Sequence, residues 1–121
     1  MSADGLAPRR MMMWVAVTAG VAPGAMVEVA FAPQTPARLQ HVEVLAARWR
    51  RAPAWAVVSL ALGERRLAPG DGAVDRLDAV AAGLSLRPGE TLRLVLLNTT
   101  RRRLRARVGL TFVAPEEPRR G

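Results

Sequence analysis

Two alternating runs of apolar and polar residues between Leu86 and Phe112 constrain the fold of this chain more than any other feature. The alternating apolar positions are Leu92, Leu94 and Leu96 in the first run, then Leu104, Ala106, Val108 and Leu110 in the second. Successive side chains of a strand point to opposite faces, so a two-residue period predicts strands with one buried face. The polar residues 98–100 separate the runs. We predict adjacent antiparallel strands at Thr91–Leu97 and Leu104–Val113.

Further short apolar segments recur along the chain, separated by Gly- and Pro-rich turn signals about every ten residues. Six more strands are predicted in this way, at residues 11–19, 25–31, 37–49, 54–62, 66–68 and 84–86. The first two flank the turn sequence Gly20–Gly24, a pattern that predicts a hairpin. Residues 54–62 are apolar on both faces, which indicates a central strand or a surface between subunits.

The segment Ala37–Trp49 fits two interpretations. Leu39, Val42 and the final tryptophan share one face of a helix. Against a helix, Val42 and Val44 alternate with polar residues, and every neighbouring element is a predicted strand. We predict a strand with a bulge near Leu45–Ala47.

These elements predict an all-β fold in a single domain: a β-sandwich of about eight short antiparallel strands, arranged as a jelly roll. The 121 residues suffice for one domain. We divide the chain into an N-terminal arm at 1–10, a sandwich at 11–114 and a charged C-terminal tail at 115–121. Both termini are expected to contact other chains.

Composition limits what the core and any active site can contain. Residues of the hydrophobic class make up 50% of the chain, but aromatic residues only 4%, and cysteine is absent. We therefore predict a core of Ala, Val, Leu and Met, and no disulfide, thiolate metal site or cysteine nucleophile.

No catalytic site, cofactor site or metal site is predicted. His41 is the single histidine, and Ser59 lies in an apolar run without the tight turn that a nucleophilic serine needs. The chain has no phosphate-binding glycine loop. Asp71, Asp75 and Asp78 are spaced three or four apart and could bind a hard cation such as calcium, but their spacing does not match an EF-hand loop, and loop carboxylates are usually solvated.

The apolar stretch near the N-terminus ends in an Ala-Phe-Ala sequence that resembles a secretory cleavage site. Glu28 and the Gly20–Gly24 turn interrupt this stretch, and Pro33 follows it directly. We therefore expect no cleaved signal and no membrane span.

Arginine is the strongest functional lead. The formal net charge is +8, and all 18 basic residues are arginine. Two groups are the candidate partner-binding residues: Arg101, Arg102, Arg103, Arg105 and Arg107, and separately Arg48, Arg50 and Arg51. On a strand, alternate members of the first group would share one face. Such a stripe fits a solvated or charge-protected edge, an acidic protein partner, or the phosphates of a nucleic acid.

Three segments carry a resemblance to a known group of proteins: PQTPARLQHVEV, WAVVSLALGERRLAPG, and LSLRPGETLRLVLLNTTRRRLRARVGLTFVA. The last contains a G-x-x-L-x-L-x-x-x-N strand followed by an alternating strand. Over residues 25–113 the layout resembles small single-jelly-roll virion proteins and their bacterial homologues. The resemblance implies a structural protein of a phage or virus particle, such as a capsid decoration, minor capsid or tail component, without catalytic residues.

We therefore expect a non-enzymatic, oligomeric structural protein of a virion, assembled in the host cytoplasm. Its partners would be further copies of itself or other virion proteins with acidic surfaces. A basic nucleic-acid-binding domain that uses Arg101–Arg107 is the first alternative. A small carbohydrate-binding or hydrolase-type sandwich is the second.

Overall fold

Two four-stranded antiparallel sheets form the fold of this chain. The computed structural model describes residues 9–46, 54–68 and 83–115. The strands are β1 (Arg9–Val17), β2 (Met26–Phe31), β3 (Ala37–Ala46), β4 (Trp55–Leu62), β5 (Arg65–Ala68), β6 (Ser85–Leu86), β7 (Leu92–Asn98) and β8 (Ala106–Pro115). The predicted all-β class and the eight antiparallel strands are confirmed.

The strand order is that of a jelly roll. Sheet 1 has the order β1-β8-β3-β6, and sheet 2 has the order β2-β7-β4-β5. The first strand therefore pairs with the eighth, the second with the seventh, the third with the sixth and the fourth with the fifth. This is a long hairpin rolled into a sandwich, in which β3–β8 and β4–β7 pairs complete the two sheets.

The predicted pairing of the two alternating runs is wrong. β7 and β8 belong to opposite sheets, because residues 99–105 cross from one sheet to the other. The predicted β1–β2 hairpin is wrong for the same reason, since residues 18–25 also connect the two sheets. The predicted faces are nevertheless right: Leu94, Leu96, Ala106 and Val108 are all buried.

The core consists of the inward faces of both sheets. Leu39, Leu60 and Leu96 are among its most deeply buried side chains. A small aromatic group lies at one side, where the ring of Phe31 is 5.0 Å from Trp14 and 5.4 Å from Phe112. Alanine, valine and leucine supply most of the core, as predicted.

None of the methionines within the described ranges enters the core, contrary to the prediction. The four methionines within the described ranges, Met11, Met12, Met13 and Met26, are all exposed. They lie on β1 and β2, the edge strands of the two sheets.

The ambiguous segment is a strand over Ala37–Ala46, while residues 47–49 lie outside the described residues. Its bulge falls between Leu39 and His41, earlier than predicted. A second bulge, between Val57 and Ser59, shifts the alternation in β4.

The boundaries of the sandwich differ slightly from those inferred from sequence. β1 already includes Arg9 and Arg10, whose backbones pair with Pro115 and Ala114 of β8. The remainder of both predicted terminal segments lies outside the described residues.

Candidate functional site: an apolar side and an arginine end

β1 presents apolar side chains on both of its faces. Residues 11–17 contain no polar residue, yet only one face of an edge strand can cover the core. Trp14 and Ala16 point inward and are half-buried against the core. Outward from the sheet, Met11 and Met13 are 70% and 67% exposed. Val15 and Val17 continue the same exposed row.

A further exposed hydrophobic side chain, Met26, lies on β2, the neighbouring edge strand of the other sheet. The Trp14–Phe31 ring contact at 5.0 Å shows that these two edge strands lie beside each other across the sandwich. Every strongly exposed large hydrophobic side chain within the described ranges lies on them: Met11, Met12, Met13, Val15, Val17 and Met26. We call this set the apolar side. A concentration of exposed hydrophobic side chains on two adjoining strands of a small domain is typical of an interaction surface.

Sheet 1 becomes polar within two strands of this edge. Opposite Met11, Met13 and Val15, β8 presents residues 113, 111 and 109, which are valine, threonine and glycine. On β3 the next positions across are Arg38, His41 and Glu43, all exposed. The apolar side is therefore bounded by charge on the outer face of sheet 1.

The first arginine group lies in and beside the connection from β7 to β8. Arg101, Arg102, Arg103 and Arg105 are exposed, and Arg107 is half-buried. Arg103, Arg105 and Arg107 alternate with the buried side chains of Leu104 and Ala106, although β8 itself begins at Ala106. The Nη1 of Arg103 donates a hydrogen bond to the Gly20 carbonyl at 3.1 Å. The second group, Arg48, Arg50 and Arg51, lies outside the described residues.

Asn98 fixes the connection that carries these arginines. It is 1% exposed and is the buried polar residue of the described core. Its Nδ2 donates to the carbonyls of Val21 at 3.0 Å and Arg102 at 2.7 Å. Its Oδ1 accepts from the backbone N–H of Thr100 at 2.9 Å and from the Thr100 hydroxyl at 2.7 Å. Both amide protons and both oxygen lone pairs thus have partners.

Three connections meet at this end of the sandwich. The Asn98 side chain joins residue 21 of the β1–β2 connection to residue 102 of the β7–β8 connection. The backbone N–H of Thr99 donates to the carbonyl of Ala54, just before β4, at 3.0 Å. We call the exposed arginines on this scaffold, residues 101, 102, 103 and 105, the arginine end. Its backbone is held by hydrogen bonds at several points.

The structure places His41 and Ser59, the candidate side chains of a hydrolytic site, in different sheets. His41 lies on the outer face of sheet 1, whereas Ser59 lies in β4 of sheet 2 and pairs with residue 95. No group of three metal-ligating side chains occurs in the part of the chain that the structure describes. Asp71, Asp75 and Asp78 lie outside that part. Over the same ranges, no helix is long and apolar enough to cross a membrane.

Comparison with known proteins adds no name to these surfaces. No protein-family model, curated protein or solved structure matches this chain.

The sequence analysis missed the apolar side, although a signal was present: seven consecutive residues, 11–17, have no polar side chain. A strand with two apolar faces needs a second covering surface, and we applied that reasoning only to residues 54–62.

Proposed function

We propose that this chain is a non-enzymatic structural protein that acts through adhesion between subunits. The assembly to which we assign it is a virus or phage particle, in the role of a capsid decoration, minor capsid or tail component. One observation carries the adhesive part of the proposal: large exposed hydrophobic side chains are concentrated on the adjoining edge strands β1 and β2. The jelly-roll order supports the virion part, because capsid domains commonly use this fold.

The two most exposed side chains of the apolar side contribute little to the stability of the isolated domain. Met11 and Met13 are about two-thirds exposed, so they bury little surface against their own core. Contact with another subunit would remove this surface from water, and each side chain would then contribute to association instead of folding.

Light scattering coupled to size exclusion tests the adhesive function. Wild-type protein should have a native mass above the 13.0 kDa of one chain, and the mass should rise with concentration. The double variant Met11→Ser/Met13→Ser should associate at least about tenfold more weakly, with little change in thermal stability. Val95→Thr, on the outer face of sheet 2, is the matched control and should associate normally. Association that is insensitive to both serines, or a monomer at every concentration, contradicts the proposal.

The virion assignment has its own test. Particles purified from cells of the source organism should contain peptides of this chain in fixed stoichiometry to the main capsid protein. If such particles form without the chain, the adhesive function stands and the virion assignment falls.

The arginine end favours a second candidate function, the binding of nucleic acid or an acidic protein surface. Four exposed arginines lie within five consecutive positions on a connection that Asn98 holds in place. Arginine forms paired hydrogen bonds with phosphate and carboxylate groups. A variant with Arg101, Arg102 and Arg105 changed to Gln should fold normally and lose binding to DNA or RNA fragments. Equal binding by the variant and the wild type, or binding that does not weaken with salt, excludes the nucleic-acid function.

A further inference from the structure

The two sheets have four open edges within the described ranges, and β1 is the least protected of them. β6 is only two residues long, β5 carries exposed Arg65 and Arg66, and β2 carries exposed Glu28. β1 has nine residues, and its stretch 11–17 has no charge, proline or bulge. Native sheets usually protect a long edge with one of these devices, because unpaired backbone groups there accept another strand.

The hydrogen-bonding groups at this edge can be assigned from the register. Thr18, one residue beyond β1, donates its N–H to the Ala106 carbonyl at 2.9 Å, in continuation of the β1–β8 register. Alternate residues of an antiparallel strand bond to the same neighbour. The even residues of β1 therefore bond to β8. The N–H and C=O groups of Met11, Met13, Val15 and Val17 point to the open edge, and the side chains of the same residues form the exposed apolar row.

We propose that β1 pairs antiparallel with β1 of a second copy, with Trp14 at the centre of the pairing. This inference rests on the proposed adhesive function and specifies its partner and geometry. Two four-stranded sheets would join into one sheet of eight strands. Met11 then lies opposite Val17 of the second copy, and Met13 opposite Val15. In this register, all four outward-facing residues of each copy find backbone partners.

Charge selects a second copy, and this orientation, over other occupants. The chain carries +8, yet residues 11–27 contain no charged side chain. An uncharged strand has no electrostatic attraction to a charged partner, whereas the same strand of a second copy matches it in length and in apolar side chains. Antiparallel pairing places Arg10 opposite Thr18 of the second copy, so the basic residues of the two copies lie at opposite ends of the pair. A parallel arrangement would place like charges side by side.

The side chains are also compatible with a two-fold axis. On the outer face, each long methionine has a shorter valine as its direct neighbour, and the two outer rows merge into one. On the inner face, Trp14 lies directly opposite Trp14 of the second copy. The two residues form a non-hydrogen-bonded pair, the type in which opposite side chains approach most closely. Trp14 is only half-buried in a single copy, so its remaining exposed surface would be covered. A contact that pairs the same strand in both copies closes on itself as a dimer.

Proline substitution separates backbone pairing from simple apolar contact. The N–H of Met13 points to the open edge, so Met13→Pro removes no bond from the folded monomer and should leave its melting temperature nearly unchanged. Position 13 occurs twice in the symmetric pair, so two intermolecular bonds are lost. We expect the dimer dissociation constant to rise at least about tenfold beyond that of the matched control Met13→Ser. Met12→Pro, whose N–H faces β8, should destabilise the fold itself.

Spin labels test the register directly. Because the chain has no cysteine, single Cys substitutions at positions 11, 13, 15 and 17 each introduce one labelling site. Pairing centred on residue 14 predicts the shortest label-to-label distances at 13 and 15. For a label at position 11, the two copies of that position should lie six residues apart along the paired strands, about 20 Å between Cα atoms, and the same holds for position 17. A parallel pair would give equal distances at all four positions, and a shifted register would move the minimum.

The outcomes distinguish this inference from the adhesive function. Suppose that the double serine variant weakens association, but Met13→Pro and Met13→Ser have the same dissociation constant and the label distances show no minimum. Edge pairing is then overturned, and the adhesive function stands. If association ignores every change on the apolar side, or the wild type stays monomeric, both are overturned. If Met13→Pro lowers the melting temperature of a monomer, this chain's own residues cover the edge, and pairing is again overturned.

Discussion

Replacing Asn98 should destabilise the fold more than any other single polar change in the described core. The Asn98 side chain makes four hydrogen bonds while 1% exposed. The Thr100 hydroxyl has one proton and also lies 3.0 Å from the Arg102 carbonyl, so it has another acceptor. Three bonds therefore depend on Asn98 alone. At about 1 kcal/mol each, Asn98→Ala should lower the free energy of unfolding by about 3 kcal/mol.

The isosteric variant Asn98→Asp tests the donors separately. The variant keeps the oxygen that accepts from Thr100. In place of the Nδ2 group, which in the wild type donates to the carbonyls of Val21 and Arg102, it puts a second carboxylate oxygen. Loss of two bonds, together with burial of a charge, should cost at least as much as Asn98→Ala.

Urea unfolding followed by circular dichroism measures both Asn98 changes. Thr99→Ala is the control, because the exposed Thr99 hydroxyl makes a single 3.2 Å bond to the carbonyl of Ala54. It should cost about 1 kcal/mol or less. A loss below about 1 kcal/mol for Asn98→Ala would refute the idea that this side chain holds the connections together.

Two further stability predictions follow from the strand faces and the turns. Leu96 is fully buried, so Leu96→Ala should lower the free energy of unfolding by about 2–5 kcal/mol. Leu97 lies on the opposite face of β7, so Leu97→Ala should lower it far less. Gly89 has a φ of 87° in the turn before β7, so Gly89→Ala should cost about 1–2 kcal/mol, and Gly89→Asn less. Chemical denaturation of each pair measures these differences, and equal losses within a pair would contradict the assigned faces or the backbone conformation.

The strands were predictable from sequence because each one depends on local information. Period-two alternation identifies the buried face of a strand whatever its neighbour is, so Leu96 and Val108 were placed correctly although they belong to different sheets. Gly and Pro mark the turns equally locally. Arg87-Pro88-Gly89-Glu90, for example, closes with the Glu90 N–H donating to the Arg87 carbonyl at 3.1 Å.

Strand partners were not predictable in the same way. In a jelly roll only β4 and β5 are both consecutive and paired, so most neighbours lie far apart along the chain. The polar residues 98–100 suggested a hairpin, because turns and sheet-to-sheet crossings use the same residue types. What distinguishes them here is the Asn98 side chain, which bonds to Val21 across 77 positions of sequence. No local pattern carries that contact.

The exposed methionines show why composition alone misassigned the core. Methionine suits a core and an adhesive surface equally well, since its flexible side chain packs against irregular partners. The structure separates the two uses by strand position. β8 lies between β1 and β3, whereas β1 is an edge strand among the described residues and carries Met11 and Met13 on its outer face.

The two proposed surfaces respond to salt with opposite signs. Copies that carry +8 repel each other, but residues 11–17 of β1 contribute no charge to the contact. Added salt shortens the range of the repulsion to about 10 Å at 0.1 M, so pairing through β1 should strengthen. Binding of phosphates or carboxylates at the arginine end should weaken over the same range, because ions compete for the arginines. If association strengthens as salt is raised, the apolar side therefore holds the assembly together. If the assembly dissociates as salt is raised, the arginine end holds it together.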